Sequence, residues 1–160
     1  MEKIKKELNF DRVYGLKVTG KWTIKLKDQD GKTKVERHGV NVITTEGHEF
    51  ISSFLNSAAT AASTFTMKYI AIGTDSTGES STNTALGTEV SRHTGVVSNN
   101  SSGVFEIVAT FAAGSGTGAI VEYGVLSTNT GGTMWARDTE SVINKGSGDS
   151  LEVTAQITFA

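Results

Sequence analysis

Apolar and polar side chains alternate in short runs along most of this chain, and the runs are separated by Gly, Ser, Thr and Asn. Leu16, Val18, Trp22, Ile24 and Leu26 share one parity, while Lys17, Thr19, Lys21, Thr23, Lys25 and Lys27 take the other. A period of two puts successive side chains on opposite faces of a strand, so this run predicts an apolar inner face and a basic outer one. Asp28-Gln29-Asp30-Gly31 supplies turn chemistry, because glycine tolerates positive φ and an aspartate can bond its own backbone. A return strand over 33–38 completes a hairpin. Further strands are predicted over 67–74, over 105–111 with Phe105, Ile107, Ala109 and Phe111 in phase, over 119–126 and over 134–137. The last strand is the clearest, with Leu151, Val153, Ala155, Ile157 and Phe159 facing in and Glu152, Thr154, Gln156 and Thr158 facing out.

One segment changes period. After Val40-Asn41-Val42-Ile43, Thr44 or Thr45 can cap a helix, Glu46 and Glu49 suit its positive end, and Phe50, Ile51, Phe54 and Leu55 gather on one face. Seven or eight strands and a single short helix, with no strand–helix alternation, predict an all-β fold, an antiparallel β-sandwich. Residues 1–12 are charged with few apolar groups and read as an extended N-terminal arm, which leaves 13–160 as one sandwich domain.

Composition narrows the function classes. A chain of 160 residues without cysteine has no disulfide scaffold, no thiolate metal site and no thiol nucleophile. The start, Met1 to Glu7, lacks the apolar run of a signal peptide, and no stretch approaches the ~18 apolar residues of a membrane span. No membrane partner is expected. Charge is uneven: residues 1–50 carry 11 Lys+Arg against 8 Asp+Glu, and residues 51–160 carry 4 against 9. With no arginine cluster or RNA-reading aromatic motif, the basic side of the first strand reads as a solvated face, and no nucleic-acid partner is expected.

Catalytic patterns fail one by one. His38, His48 and His93 have no metal-binding spacing, and there is no Gly-x-Ser-x-Gly elbow. Asp28-x-Asp30-Gly31 begins like a calcium loop, but its twelfth position is Gly39 where a bidentate Glu is needed. Gly114-Ser115-Gly116-Thr117-Gly118 lacks the Lys-Ser/Thr ending of a phosphate cradle, so it reads as a turn. Glu106 and Glu122 are the carboxylates set in apolar strands and make the one glycosidase pair to consider, with Trp22, Tyr123 and Trp135 as sugar-stacking candidates. Parity puts Glu106 outward and Trp22 in the core. Glu122 reads as a buried, backbone-bonded or subunit-bridging carboxylate. No catalytic, metal or cofactor residue is assigned.

The order of several blocks resembles a group of small virion structural proteins of tailed bacteriophages, the capsid decoration (cement) and head- or tail-fibre proteins. The blocks are His38 to Gly47 with Phe50-Ile51; Ile70 to Thr74 followed by Thr84 to Arg92; Val121 to Leu126; Gly131 to Arg137; and Val142 to Leu151. The resemblance implies a β-sandwich body, a binding role in the virion and no catalytic residues. It implies synthesis in the host cytoplasm, the major capsid protein or another virion protein as partner, and no cofactor. The expected function is that of a non-enzymatic capsid decoration protein that stabilises the head shell. A tail-fibre or baseplate adaptor is the alternative, and a carbohydrate-binding module or small glycosidase a more distant one.

Two expectations concern assembly. No proline is present to blunt strand edges, so self-association, as a trimer, is expected. The arm is expected to anchor the body on its partner through Ile4, Leu8, Phe10, Val13 and Tyr14, which are too few to fold alone.

Overall fold

The computed structural model describes residues 17–58, 67–101 and 103–159, with the backbone alone at 52–58 and 99–101. Ten strands and a helix follow in the order β1 (Val18–Lys27), β2 (Thr33–Gly39), β3 (Val42–Ile43), α1 (Thr45–Ala58), β4 (Tyr69–Gly73), β5 (Glu89–Thr94), β6 (Val96–Ser101), β7 (Val104–Phe111), β8 (Gly118–Leu126), β9 (Met134–Lys145) and β10 (Ser150–Phe159). They form two five-stranded antiparallel sheets, β2-β1-β10-β7-β6 and β3-β9-β8-β4-β5. The fold is the all-β sandwich with one helix that the alternation predicts. The expected arm, with the strand start at 13–16, lies outside the described residues, and so do the interface candidates Ile4, Leu8, Phe10, Val13 and Tyr14.

The core is built by the two clearest alternating runs. β1 and β10 pair over their whole length, from Val18 opposite Phe159 to Lys27 opposite Ser150. Trp22, Ile24, Leu26, Leu151, Val153, Ala155 and Ile157 are buried between the sheets against Ile70, Ile72, Ile120, Tyr123, Val125 and Ile143 of the second sheet. On the outer face of the first sheet Lys25 meets Glu36 at 3.7 Å and Lys27 meets Glu152 at 2.9 Å, so the basic side of β1 is partly neutralised by its neighbours. The Asp28 turn is a hairpin. The Asp28 carboxylate accepts from the amides of Asp30 and Lys32, and Gly31 takes φ 80°.

Thr44 caps α1 by accepting from the Gly47 amide at 3.0 Å, and its hydroxyl also donates to the carbonyls of Met134 and Trp135. The helix thus starts against β9. Gly47 permits this approach, since a Cβ there would stand 2.4 Å from the Trp135 carbonyl oxygen. Phe50 packs on Trp135, and Trp135 also meets Phe105 and Phe159.

Three features depart from the alternation. β5 and β6 are strands where none is predicted, because edge strands bury little and Glu89-Val90-Ser91-Arg92-His93-Thr94 has no clean apolar parity. β9 runs on to Lys145 rather than ending at 137, because Asp138, Thr139 and Glu140 look like loop residues yet lie in a strand. Each side of the sandwich is also closed by a chain that changes sheet. β2 passes to β3 through Val40-Asn41, and β5 passes to β6 through Gly95 alone. At Gly95 a Cβ would lie 2.4 Å from Ile107 Cγ2, so only glycine lets the chain turn so close to the core.

Candidate assembly interface

The carboxylates that sequence reasoning singled out are spoken for inside the fold. Glu122 is fully buried on the outer face of the second sheet, beneath the segment 74–88 that links β4 to β5. Its Oε1 accepts from the amides of Asp75 at 3.1 Å and Thr88 at 2.8 Å. Its Oε2 accepts from the Gly87 amide at 2.9 Å and from Arg137 Nε and Nη2 at 3.3 and 2.9 Å. Arg137, itself buried, also donates to the Gly78 carbonyl and Asn83 and lies 3.7 Å from Asp75. Together they pin a long irregular segment onto the sheet, which makes Glu122 the backbone-bonded carboxylate of the sequence reading. Glu106 lies on β7, in the other sheet from Glu122 on β8, so the two are not on adjacent strands. Glu106 faces out and accepts from Gln156 at 2.7 Å and Ser98 at 3.4 Å.

The aromatic candidates offer no ring to a sugar. Trp22, Tyr123 and Trp135 are all buried, and Trp22 stacks at a tilt on Tyr123 with centroids 6.1 Å apart. Among the described residues no group of three or more His, Asp or Glu could hold a metal ion. His93 lies against Phe111 and shares a hydrogen bond with Ser115, while His48 is exposed on the helix.

The remaining buried charges also serve the fold. Lys145 donates to the carbonyls of Ala112 and Asp149, and desolvation lowers its pKa. Asp149 accepts from Lys34 at 3.0 Å and from the Gly146 amide, and those bonds hold its carboxyl below the ordinary range. Asp75 is lowered by its bonds from Thr77, and Glu79 by the Thr139 hydroxyl. Asp138 goes the other way: burial, then the charges of Glu140 and Glu79, push it up to about 7.

What the fold leaves unspent is strand edge. Among the described residues, β6 ends the first sheet and pairs with β7 alone, and β5 ends the second and pairs with β4 alone. The two edges are one chain joined at Gly95, so among the described strands a single side of the sandwich carries the outer edge of both sheets. Val96 is 75% exposed and Val97 43%, with Val90 exposed on β5. Arg92 stiffens this side by gripping Glu89 and donating to the carbonyls of Thr128 and Gly131, both at 2.8 Å. An edge with exposed β-branched residues and no proline or lysine on it is open to pairing with another chain. Sequence reasoning missed this site. The signal present was Gly95 between Val90 and the Val96-Val97 pair, which marks a strand broken by a close approach. Comparison with protein-family models, curated proteins and solved structures found no match to this chain.

Proposed function

We propose that this chain is a non-enzymatic virion structural protein of the tailed-phage type, a capsid decoration protein that docks on a head shell as a homotrimer. The order of sequence blocks from His38 to Leu151 supports the virion reading. The observation that supports a binding role is the β5–β6 side, where the outermost described strands of both sheets and exposed valines coincide while the candidate catalytic carboxylates serve internal bonds. In this reading the occupant of that side is another virion subunit, a second copy of the chain or the shell protein.

The test replaces Val96 by Lys, which puts a charge on the edge without touching the core. Native mass spectrometry and sedimentation of the wild-type protein, alone and released from virus particles, should show an oligomer. Val96→Lys should keep the far-ultraviolet spectrum and lose both self-association and particle occupancy. A wild-type protein that is monomeric in solution and on particles, or a variant with unchanged occupancy, overturns the proposal for this edge.

A further inference from the structure

The second sheet repeats itself, in sequence and in register. Ser81-Thr82-Asn83-Thr84 recurs as Ser127-Thr128-Asn129-Thr130, and Gly87-Thr88-x-x-x-Arg92 recurs as Gly132-Thr133-x-x-x-Arg137. The first copy leads from β4 into β5 and the second from β8 into β9. In each hairpin the arginine lies opposite a small residue, Arg92 opposite Ala71 and Arg137 opposite Gly124. Ala71 and Gly124 are themselves partners in the antiparallel β4–β8 pair. On either side of them Ile72 meets Tyr123 and Ile70 meets Val125, so a local twofold axis between Ala71 and Gly124 relates the two hairpins. The register shifts agree: each hairpin carries one extra residue next to its loop, Val90 in β5 and Trp135 in β9. The arginines also exchange loops. Arg92 donates to the carbonyls of Thr128 and Gly131 in the second loop, and Arg137 to Asn83 and the Gly78 carbonyl in the first.

This symmetry makes the outer edge of β9 a template for that of β5. On β9 the edge is covered by the chain's own β3–α1. Val42 and Ile43 pair with Arg137 and Ala136, the Thr44 amide donates to the Trp135 carbonyl at 2.9 Å, and the Thr44 hydroxyl donates to the carbonyls of Met134 and Trp135. α1 then starts over Trp135, where Gly47 lets its backbone in and Phe50 packs on the indole. Hydrogen-bonded pairs alternate along an antiparallel ladder, so the Thr44 bond makes Arg137 the residue that turns its N–H and C=O to Val42. The counterparts on β5 are Arg92 for Arg137, Ser91 for Ala136 and Val90 for Trp135. Val90 is 41% exposed where Trp135, beneath its helix, is 4% exposed.

We propose that the β5 edge takes a strand–helix segment of a partner protein: two extended β-branched residues set antiparallel against Arg92 and Ser91, then a Thr or Ser that bonds the Val90 carbonyl and caps a helix lying over Val90. This rests on the reading of the β5–β6 side as a binding edge, and it adds the register and the chemistry of the occupant. β-branched residues favour the extended backbone, and a hydroxyl at the next position is a preferred helix cap. Main-chain pairing with the edge supplies affinity, and contact with Val90 supplies selectivity. Arg92 is already held by Glu89 and the second loop, as Arg137 is held by Glu122, so the edge is preorganised.

The probe is a synthetic peptide copying residues 40–55 of this chain, titrated into the intact isotope-labelled protein and followed by amide NMR. Shifts should centre on Ser91 and Arg92 and saturate below millimolar peptide. N-methylation of the peptide at Val42 removes the N–H meant for the Arg92 carbonyl, and Thr44→Ala in the peptide removes the hydroxyl; each should weaken binding roughly fivefold or more. The absence of a saturable shift at this edge overturns the proposal, as do equal binding of the N-methylated peptide and shifts confined to Ala136 and Arg137, where the peptide would be replacing β3. So does a peptide-free protein whose Arg92 amide is already paired with a second copy, since the occupant is then that copy's edge. The Val96→Lys test on particles reads the edge itself. Occupancy lost there with no peptide binding here removes the strand–helix partner and keeps the binding edge. Peptide binding with unchanged occupancy upholds the partner chemistry and overturns the virion role of this side.

Discussion

Replacing Glu122 by Gln separates a structural carboxylate from a catalytic one. Gln keeps the shape and one acceptor oxygen. That oxygen can serve the amides of Asp75 and Thr88, but the new NH2 group must then face the Gly87 amide and the Arg137 guanidinium, donor against donor. The alternative rotamer loses the first pair instead. In the first case Arg137, 2% exposed, keeps only the Gly78 carbonyl, Asn83 and a distant Asp75, and in both the guanidinium loses its carboxylate countercharge. Breaking one partner of a buried charge pair costs roughly 3–5 kcal/mol. For a domain of this size each kcal/mol moves Tm by about 2–4 °C, so the expected loss is roughly 6–20 °C. Calorimetry measures it, with urea unfolding as the check on free energy. Glu106→Gln, at a partly exposed cross-strand contact, should stay within about 0.5 kcal/mol of wild type. Glu122→Gln unfolding within about 1 kcal/mol of wild type would refute the pinning role. Turnover of a polysaccharide abolished by Glu122→Gln, with stability intact, would turn the reading toward a glycosidase.

Gly95→Ala places a methyl 2.4 Å from Ile107 Cγ2 and should destabilise the fold by about 1–3 kcal/mol in urea, whereas Gly78→Ala, with nothing near its Cβ, should cost little. Asp138 is raised from 3.8 to about 7, so between those values the folded chain binds a proton that the unfolded chain releases. Stability should therefore fall as pH rises through that window, by an amount on the order of 4 kcal/mol, and stay lowered above it. Asp75, Glu79 and Asp149 are held low and have the opposite slope at more acidic pH. The difference in Tm between Asp138→Asn and wild type, followed from pH 5 to 8, cancels other titrating groups. A variant no more stable than wild type at the alkaline end would contradict the assignment.

What the sequence determined by itself is what neighbours in the chain can settle. The β1 and β10 faces follow from a period of two, the Asp28 hairpin from an aspartate and a glycine at turn spacing, and the start of α1 from Thr44 ahead of Gly47. These are local, and each repeats a preference already present in a short peptide. β5 and β6 escaped because an edge strand is defined by its partner, and a strand that buries little need not alternate. The Glu122 node was half legible: parity flagged an unusual carboxylate, but its donors come from Asp75, Gly87, Thr88 and Arg137, and only folding brings them to one point. The burial of Asp138 was not legible at all, since the room for it is left by Gly39, about a hundred positions earlier, and a missing Cβ has no pattern of its own. Local chemistry therefore set the elements, while the tertiary structure decided which edges remain open and which charges are buried, because exposure and desolvation are properties of the assembled sandwich.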